Sequence, residues 1–194
     1  FMKKMIHGGD IYRHPDIIDF SSNCNPFGPP QRVQDAICRA VGQIGHYPDI
    51  QCSLLRDALS AKLHVPGAWI FFGNGAAEVI FAAVTALKPK KALLPAPTFA
   101  EYERTLSGAE IRVHNLRETD GFALTERILD EISPDLDAVY LCNPNNPTSS
   151  QISRPVMRNI LDHCKEKGIF VMVDETYVEF SENSDAITSI PLTQ

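Results

Sequence analysis

The chain has 194 residues, a formal net charge of −6, and 44% hydrophobic against 22% charged residues. That is enough chain to bury a core, and the balance is that of a globular protein, which excludes disorder and collagen-like structure. Mild acidity argues against nucleic acid or an anionic membrane as the main ligand, and the longest apolar stretches, Val79–Leu87 and Ile169–Val173, are too short to span a bilayer.

From the N-terminus, FMKKMIHGGD lacks the apolar centre of a signal peptide, and Phe1 before Met2 reads as an appended residue. Residues 1–29 read as an irregular arm ending in the stretch Asn25-Pro26-Phe27-Gly28-Pro29-Pro30, which cannot be helical. Val33, Ala36, Ile37, Ala40, Val41 and Ile44 recur at three- and four-residue steps and predict a helix with one buried face. Gly45-His46-Tyr47-Pro48-Asp49 breaks it. A second helix carries Leu54, Leu55, Ala58, Leu59 and Leu63 and stops at Pro66-Gly67. Then strands and helices alternate: a strand at Trp69–Phe72, a helix near 76–87, a strand at Ala92–Leu94, a helix from about 99, and a strand near Ile111–Val113. A helix at 125–132, a strand at Ala138–Cys142, a helix at 154–167 and a strand at Ile169–Val173 complete the series. The fold class is therefore α/β, three layers with a mostly parallel sheet whose apolar strands are buried on both faces. The five cysteines are widely spaced with no CxxC pair, so reduced thiols are expected, with Cys38 and Cys142 packing as small hydrophobes. The six histidines never fall in a ligand spacing such as HxxxH, so metal catalysis is not expected.

Ligands of parallel sheets bind at the carboxyl ends of the strands, so the turns there carry the chemistry. Gly73-Asn74-Gly75-Ala76-Ala77-Glu78 reads either as an anion cradle at a helix N-terminus or as a tight turn with nothing bound. A dinucleotide site fails, because Glu78 stands where a third glycine belongs and Pro95-Ala96-Pro97 brings no acid for a ribose. Phe99, after Pro97-Thr98, is a stacking surface or an ordinary core phenylalanine. Asn143-Pro144-Asn145-Asn146-Pro147-Thr148 is a rigid turn presenting amides, or a plain Asn-Pro turn. Asp174 ends an apolar strand, with Tyr177 close behind; it meets a cation or caps a helix. Taken together, an anion cradle, an aromatic face, a rigid Asn and an acid beside a phenol describe a planar, phosphorylated ring with a cationic nitrogen. Pyridoxal 5'-phosphate fits each feature.

At this point the chain resembles the fold-type I pyridoxal-phosphate enzymes of the histidinol-phosphate aminotransferase group, and within it the threonine-phosphate decarboxylases of cobalamin biosynthesis. The carrying residues are His7-Gly8-Gly9, DFSSNCNPFGPP at 19–30, His46-Tyr47-Pro48-Asp49, GNGAAE at 73–78, PTFAEY at 97–102, PNNPT at 144–148 and DETY at 174–177. The resemblance runs the length of the chain but covers only the first half of a family member. It implies an arm at 1–29, a helix of the small domain at 30–45, and the N-terminal part of the cofactor-binding large domain at 46–194. It implies that Gly75, Ala76 and Ala77 hold the cofactor phosphate, with Tyr47 reaching it from the partner subunit of a homodimer. Phe99 would stack on the ring, Asn146 and Tyr177 would bond its phenolic oxygen with Asn146-Pro147 cis, and Asp174 would pair with the ring nitrogen. His7, Gly8, Gly9, Asn23 and Asn25 would lie near the substrate, a small phosphorylated amino acid or amino alcohol.

The implied reaction is decarboxylation of L-threonine O-3-phosphate in the cytoplasm. A histidinol-phosphate-type aminotransferase using 2-oxoglutarate is the alternative, and a non-catalytic α/β fragment is a second. In the family the cofactor-linking lysine lies on a Ser-x-x-Lys turn after the DExY segment, with an arginine shortly beyond. No lysine follows Lys167 here, so this chain alone is expected to be inactive. Ser149 follows Thr148 where the family usually has glycine, which puts the local backbone in question.

Overall fold

The computed structural model describes Gly9 and residues 11–193. They form two compact units, Phe1–Gln51 and Cys52–Gln194. In the first, Gly9 receives Ser21 Oγ as acceptor for its N–H at 2.8 Å, and Asp19 accepts from the hydroxyls of Ser21 and Ser22. Those bonds, led by the one from Ser21, hold the Asp19 carboxyl below its usual range. Helix α1 spans Gln31–Ala40 and continues as a 3₁₀ turn, Val41–Gln43. The helix predicted by the periodicity exists, but its face is not buried: Val33, Ile37, Val41 and Ile44 are exposed, and so is Cys38. Periodicity reports a stripe suited to a partner; nothing among the described residues of this unit covers it.

The second unit begins with α2, Ser53–Leu63. The strand expected at Trp69–Phe72 is absent. Residues Gly67–Trp69 form a 3₁₀ turn, and Trp69 and Phe71 are exposed. A strand needs a neighbouring backbone, and here the carbonyls of Gly67 and Ile70 accept instead from the Arg56 guanidinium, which also lies 5.6 Å from the centre of the Phe72 ring. Helix α3 (Gly75–Leu87) leads to β1 (Lys91–Ala96), short α4 (Glu101–Thr105) and β2 (Glu110–Asn115). The helix expected at 125–132 is a six-residue 3₁₀ segment, Glu126–Glu131, too short to gain from α-helical cooperativity; Ile128 and Ile132 are buried nonetheless. Then come β3 (Ala138–Cys142), α5 (Arg154–Lys167), β4 (Phe170–Asp174) and one turn of α6 (Ser184–Ile187). Gly168 ends α5 at φ +68°, a left-handed stop that glycine adopts without strain.

All strands are parallel, in the order β2-β1-β3-β4. Alternate side chains feed two apolar layers. Leu93, Val139 and Leu141 pack with Met157, Ile160 and Cys164 of α5, whereas Ala92, Leu94, Tyr140 and Cys142 pack with Ile80 of α3 and with Tyr102 and Leu106. Burial pushes the Cys164 thiol up to about 11. Only β1 and β3 are buried throughout their middles; the outer strands β2 and β4 are partly open, and β2 alternates Glu110, Arg112 and His114 with apolar residues. The expectation of double burial therefore holds for the inner pair. The β1–β3 ladder is only two residue pairs long, Ala92–Ala138 and Leu93–Val139. Pro95 offers no N–H to extend it. Since β1 leads outward to β2 and β3 to β4, the carboxyl ends of β1 and β3 flank the point where strand order reverses, the place where such sheets bind ligands.

Asp135 knits the opposite end. It accepts from Lys91 Nζ at 2.8 Å and from Arg112 at 3.2 Å, and these bonds, with Ser133, hold its carboxyl well below the usual range. A depressed carboxyl stabilises the folded state above its unfolded value near pH 4, and that stability is lost as acid protonates it. Asp135→Asn is therefore expected to lower the melting temperature at pH 7, and to flatten the slope of stability against pH below about 4 in an acid-denaturation series. Among the described residues, no helix is long and apolar enough to cross a membrane.

Candidate active site

Four turns meet the carboxyl ends of the sheet or the start of α3. At the first, Gly75 takes φ +82° with open space where a Cβ would stand, and its N–H is donated to Gly73 O at 2.9 Å. Asn74 is fastened by Glu78, whose carboxylate accepts from the Asn74 backbone N–H and from its side-chain amide. The N–H groups of Ala76 and Ala77 come next in the first turn of α3 and have no acceptor among the described residues. Two free amides beside an unobstructed glycine, at the positive end of a 13-residue helix, suit a dianion.

The second turn follows β1. Ala96-Pro97 is cis, Thr98 and Phe99 follow, and Phe99 sets its ring edge-on to Tyr102 at 5.6 Å. The third follows β3, with Asn143-Pro144 and Asn146-Pro147 both cis. Its three asparagines divide the work. Asn143 is fully buried, donates to Ile187 O at 3.0 Å and accepts from Ile152 N–H at 2.9 Å. Asn145 accepts from Thr98 Oγ1 at 2.9 Å and donates to Pro97 O at 3.0 Å and Thr148 Oγ1 at 2.8 Å. Asn146 is half-buried, and its carboxamide has no partner among the described residues. The loop thus consumes two amides to hold itself and the Phe99 turn, and presents the third.

Ser149 takes φ +59° while its N–H is donated to Asn145 O at 2.7 Å. A side chain in that region costs about 1 kcal/mol relative to glycine. Ser149→Gly is expected to raise unfolding stability by about 0.5–1 kcal/mol, measured as a shifted urea midpoint with an unchanged slope.

The fourth turn follows β4. Asp174 Oδ1 accepts from Thr176 N–H at 2.9 Å and Thr176 Oγ1 at 2.6 Å; Oδ2 accepts from Tyr102 Oη at 2.7 Å. Asn143 N–H is donated to Asp174 O at 2.8 Å, which joins the third and fourth turns. Tyr177 is half-buried, with its ring 6.1 Å from that of Phe180. Burial pushes the Cys142 thiol up, so it stands as a neutral neighbour below the Asn turn. Phe99, Asn146, Asp174 and Tyr177 therefore project from three turns tied by hydrogen bonds, and α3 joins them through Ile80, which shares an apolar cluster with Tyr102 and Cys142.

Other residues of interest lie in the first unit. Tyr47 is 88% exposed. Asn25 accepts from Phe27 N–H and donates to Gly28 O within its own loop, and Asn23 is exposed. His7 and Gly8 lie outside the described residues. Sequence reasoning missed two residues, Tyr102 and Asn145. The only signal for Tyr102 was its place one helical turn after Phe99; for Asn145 there was none, since three asparagines in one turn look alike on paper.

The sequence profile of aminotransferase class I and II matches residues 15–193. The chain belongs to that family. Within it, the chain is 43% identical over 184 residues to threonine-phosphate decarboxylase of Salmonella typhimurium, which covers 90% of this chain and 50% of that protein. It is 36% identical over 180 residues to histidinol-phosphate aminotransferase of Bacillus velezensis, covering 91% and 49%. Among solved structures, histidinol-phosphate aminotransferase from Clostridium acetobutylicum superposes with a TM-score of 0.80 at 27% identity, over 91% of this chain and 52% of that one. The chain spans about half the length of the curated relatives it matches. For a family member, the α/β architecture with a parallel sheet is the shared scaffold.

Proposed function

We propose that the chain is part of a pyridoxal-phosphate-dependent decarboxylase that converts L-threonine O-3-phosphate to aminopropanol phosphate, a step of cobalamin biosynthesis, in the cytoplasm and as a homodimer. The observation that carries the reading is Asp174: a carboxylate at the carboxyl end of a sheet strand, clamped by three donors and joined to the asparagine turn. A clamped carboxylate beside a stacking ring and a free carboxamide suits a flat, nitrogen-cationic ligand. The 43% identity to a threonine-phosphate decarboxylase supports the substrate.

Pyridoxal phosphate supplies an electron sink for the pair released when a bond at the substrate α-carbon breaks. The chain's own residues arrange that sink. Asp174 holds a proton at the ring nitrogen. Asn146 and Tyr177 would bond the phenolic oxygen, and Phe99 would stack on the ring and exclude water. The amides of Ala76 and Ala77, with Gly75 giving clearance, take the phosphate. On the family pattern Tyr47 would serve the same phosphate from the partner subunit, and Gly9, Asn23 and Asn25 would serve the substrate; His7 and Gly8, assigned with them, lie outside the described residues. On this reading the 194 residues alone do not turn over, because the covalent attachment needs a lysine after the Asp174 turn. Among the described residues, Lys62, Lys165 and Lys167 lie on helices, Lys88 caps α3, and Lys91 begins β1 paired with Glu110 and Asp135; Lys167 closes α5 within 2.8 Å of His163.

The competing activity, transamination of a histidinol-phosphate-type substrate, is favoured by the 36% identity to a histidinol-phosphate aminotransferase. Product analysis of the full-length protein separates the two. Threonine phosphate is expected to give CO₂ and aminopropanol phosphate with no 2-oxo acid present. Glutamate formed from 2-oxoglutarate, without CO₂, would establish the transaminase instead.

A further inference from the structure

The Tyr102 hydroxyl serves none of the roles above, yet its placement is specific. The two oxygens of Asp174 are held differently. Oδ1 takes both of its donors from Thr176, two residues on, so the turn itself provides them. Oδ2 takes its donor from Tyr102, 72 residues away in sequence, at 2.7 Å. The tyrosine is 1% exposed, with its ring edge-on to Phe99 and tilted 46° against Tyr140, whose centre is 6.0 Å away. Burial above all, helped by Cys142 and Asp174, pushes the phenol far above its ordinary value, so Tyr102 is always the donor. Tyr140 makes the contrast: its hydroxyl is equally buried and has no partner among the described residues. Two neighbouring tyrosines thus fill the same layer, and only one hydroxyl reaches the carboxylate.

We infer that Tyr102 is a positioning residue that fixes the rotation of the Asp174 carboxylate and keeps negative charge on it while a proton is shared with a ligand nitrogen. The inference rests on the proposed role of Asp174. Without the hydroxyl, only the two Thr176 donors on Oδ1 restrain the carboxylate about χ2, and a carboxylate with one donor fewer is a poorer host for charge. The proton of the pair then moves toward the oxygen.

The test is Tyr102→Phe in the full-length protein, which keeps the ring and removes one oxygen. Pyridoxal phosphate is expected to bind about tenfold more weakly, equal to about 1.4 kcal/mol. The ¹⁵N resonance of the labelled ring nitrogen is expected to move toward the neutral pyridine position. A merely structural tyrosine would lower the melting temperature and leave that resonance in place. Tyr140→Phe is the control and is expected to match wild type in both readouts. Should Tyr102→Phe fail to fold, 3-fluorotyrosine placed at position 102 keeps the bond with a stronger donor, and the resonance is expected to move the opposite way. Wild-type affinity and an unmoved resonance in either variant would overturn the inference while leaving the Asp174 reading intact. Failure of the wild-type protein to bind the coenzyme would overturn that reading instead. A double-mutant cycle on apoprotein stability, Tyr102→Phe with Asp174→Ala, then decides the contact: coupling of about tenfold in the unfolding constant supports it, and additivity removes it.

Discussion

Asp174→Ala in the full-length protein is expected to lower turnover of threonine phosphate by about 10²–10³-fold, the size found when a preorganised charge stabiliser is removed from an active site. Of the carboxylates in the four turns, Glu78 is spent on Asn74 and Glu175 on Thr188 and Ser189, which leaves Asp174 to hold a proton on a ring nitrogen, and the remaining donors cannot substitute for a lost acceptor. The substitution has a second consequence. Tyr102 Oη, Thr176 N–H and Thr176 Oγ1 lose their shared acceptor, and Tyr102 is buried. An orphaned buried hydroxyl costs about 1–3 kcal/mol, so some destabilisation accompanies the loss of activity. Asp174→Asn separates the two effects, since it keeps the shape and an oxygen acceptor but removes the charge. Stopped-assay turnover and thermal melts on both variants check this: turnover is expected to fall in both, and stability mainly in the alanine variant. Near wild-type turnover for Asp174→Ala would end the proposed role.

Asn145→Ala should cost about 2–4 kcal/mol of unfolding stability. Three side-chain bonds vanish, those with Thr98 Oγ1, Pro97 O and Thr148 Oγ1. Each net neutral hydrogen bond is worth about 1 kcal/mol, and groups left unpaired in a part-buried loop add to the loss. The effect on the site is expected to be larger than its distance from the chemistry suggests. Asn145 is the pin between the turn that carries Phe99 and the turn that carries Asn146, so both lose their common reference. Asn145→Asp is the informative partner: it retains the acceptor for Thr98 and sacrifices the two donated bonds. Denaturant unfolding with coenzyme titration tests the pair. An alanine variant of wild-type stability would show that the two turns are held by their backbones alone.

Much of the fold was legible because the signals were local. Strand Ala138–Cys142 and helix 154–167 are bounded as the apolar run and the stop at Gly168 indicate. Where the outcome depends on a distant partner, the reading fell short. Trp69–Phe72 has a strand's composition but meets Arg56 in place of a ladder. The α1 stripe has a core's periodicity but lies open. The site follows the same division. Strand-end turns could be located from residue types, but no residue type discloses that Asn143 and Asn145 are spent on the loop, or that Tyr102 rather than Tyr140 reaches Asp174. Those assignments arise from strand register and side-chain direction, which only the folded chain defines.

The alternation of β3 between two apolar layers bears on how such a protein can change length over evolution. Dropping one residue from Ala138–Cys142 would turn Tyr140 and Cys142 toward α5 and send Leu141 to the face they left. It would also break the junction between Asn143 and Asp174. Gains and losses of sequence should therefore accumulate in exposed connections such as 117–119, while the inner strands keep a constant count.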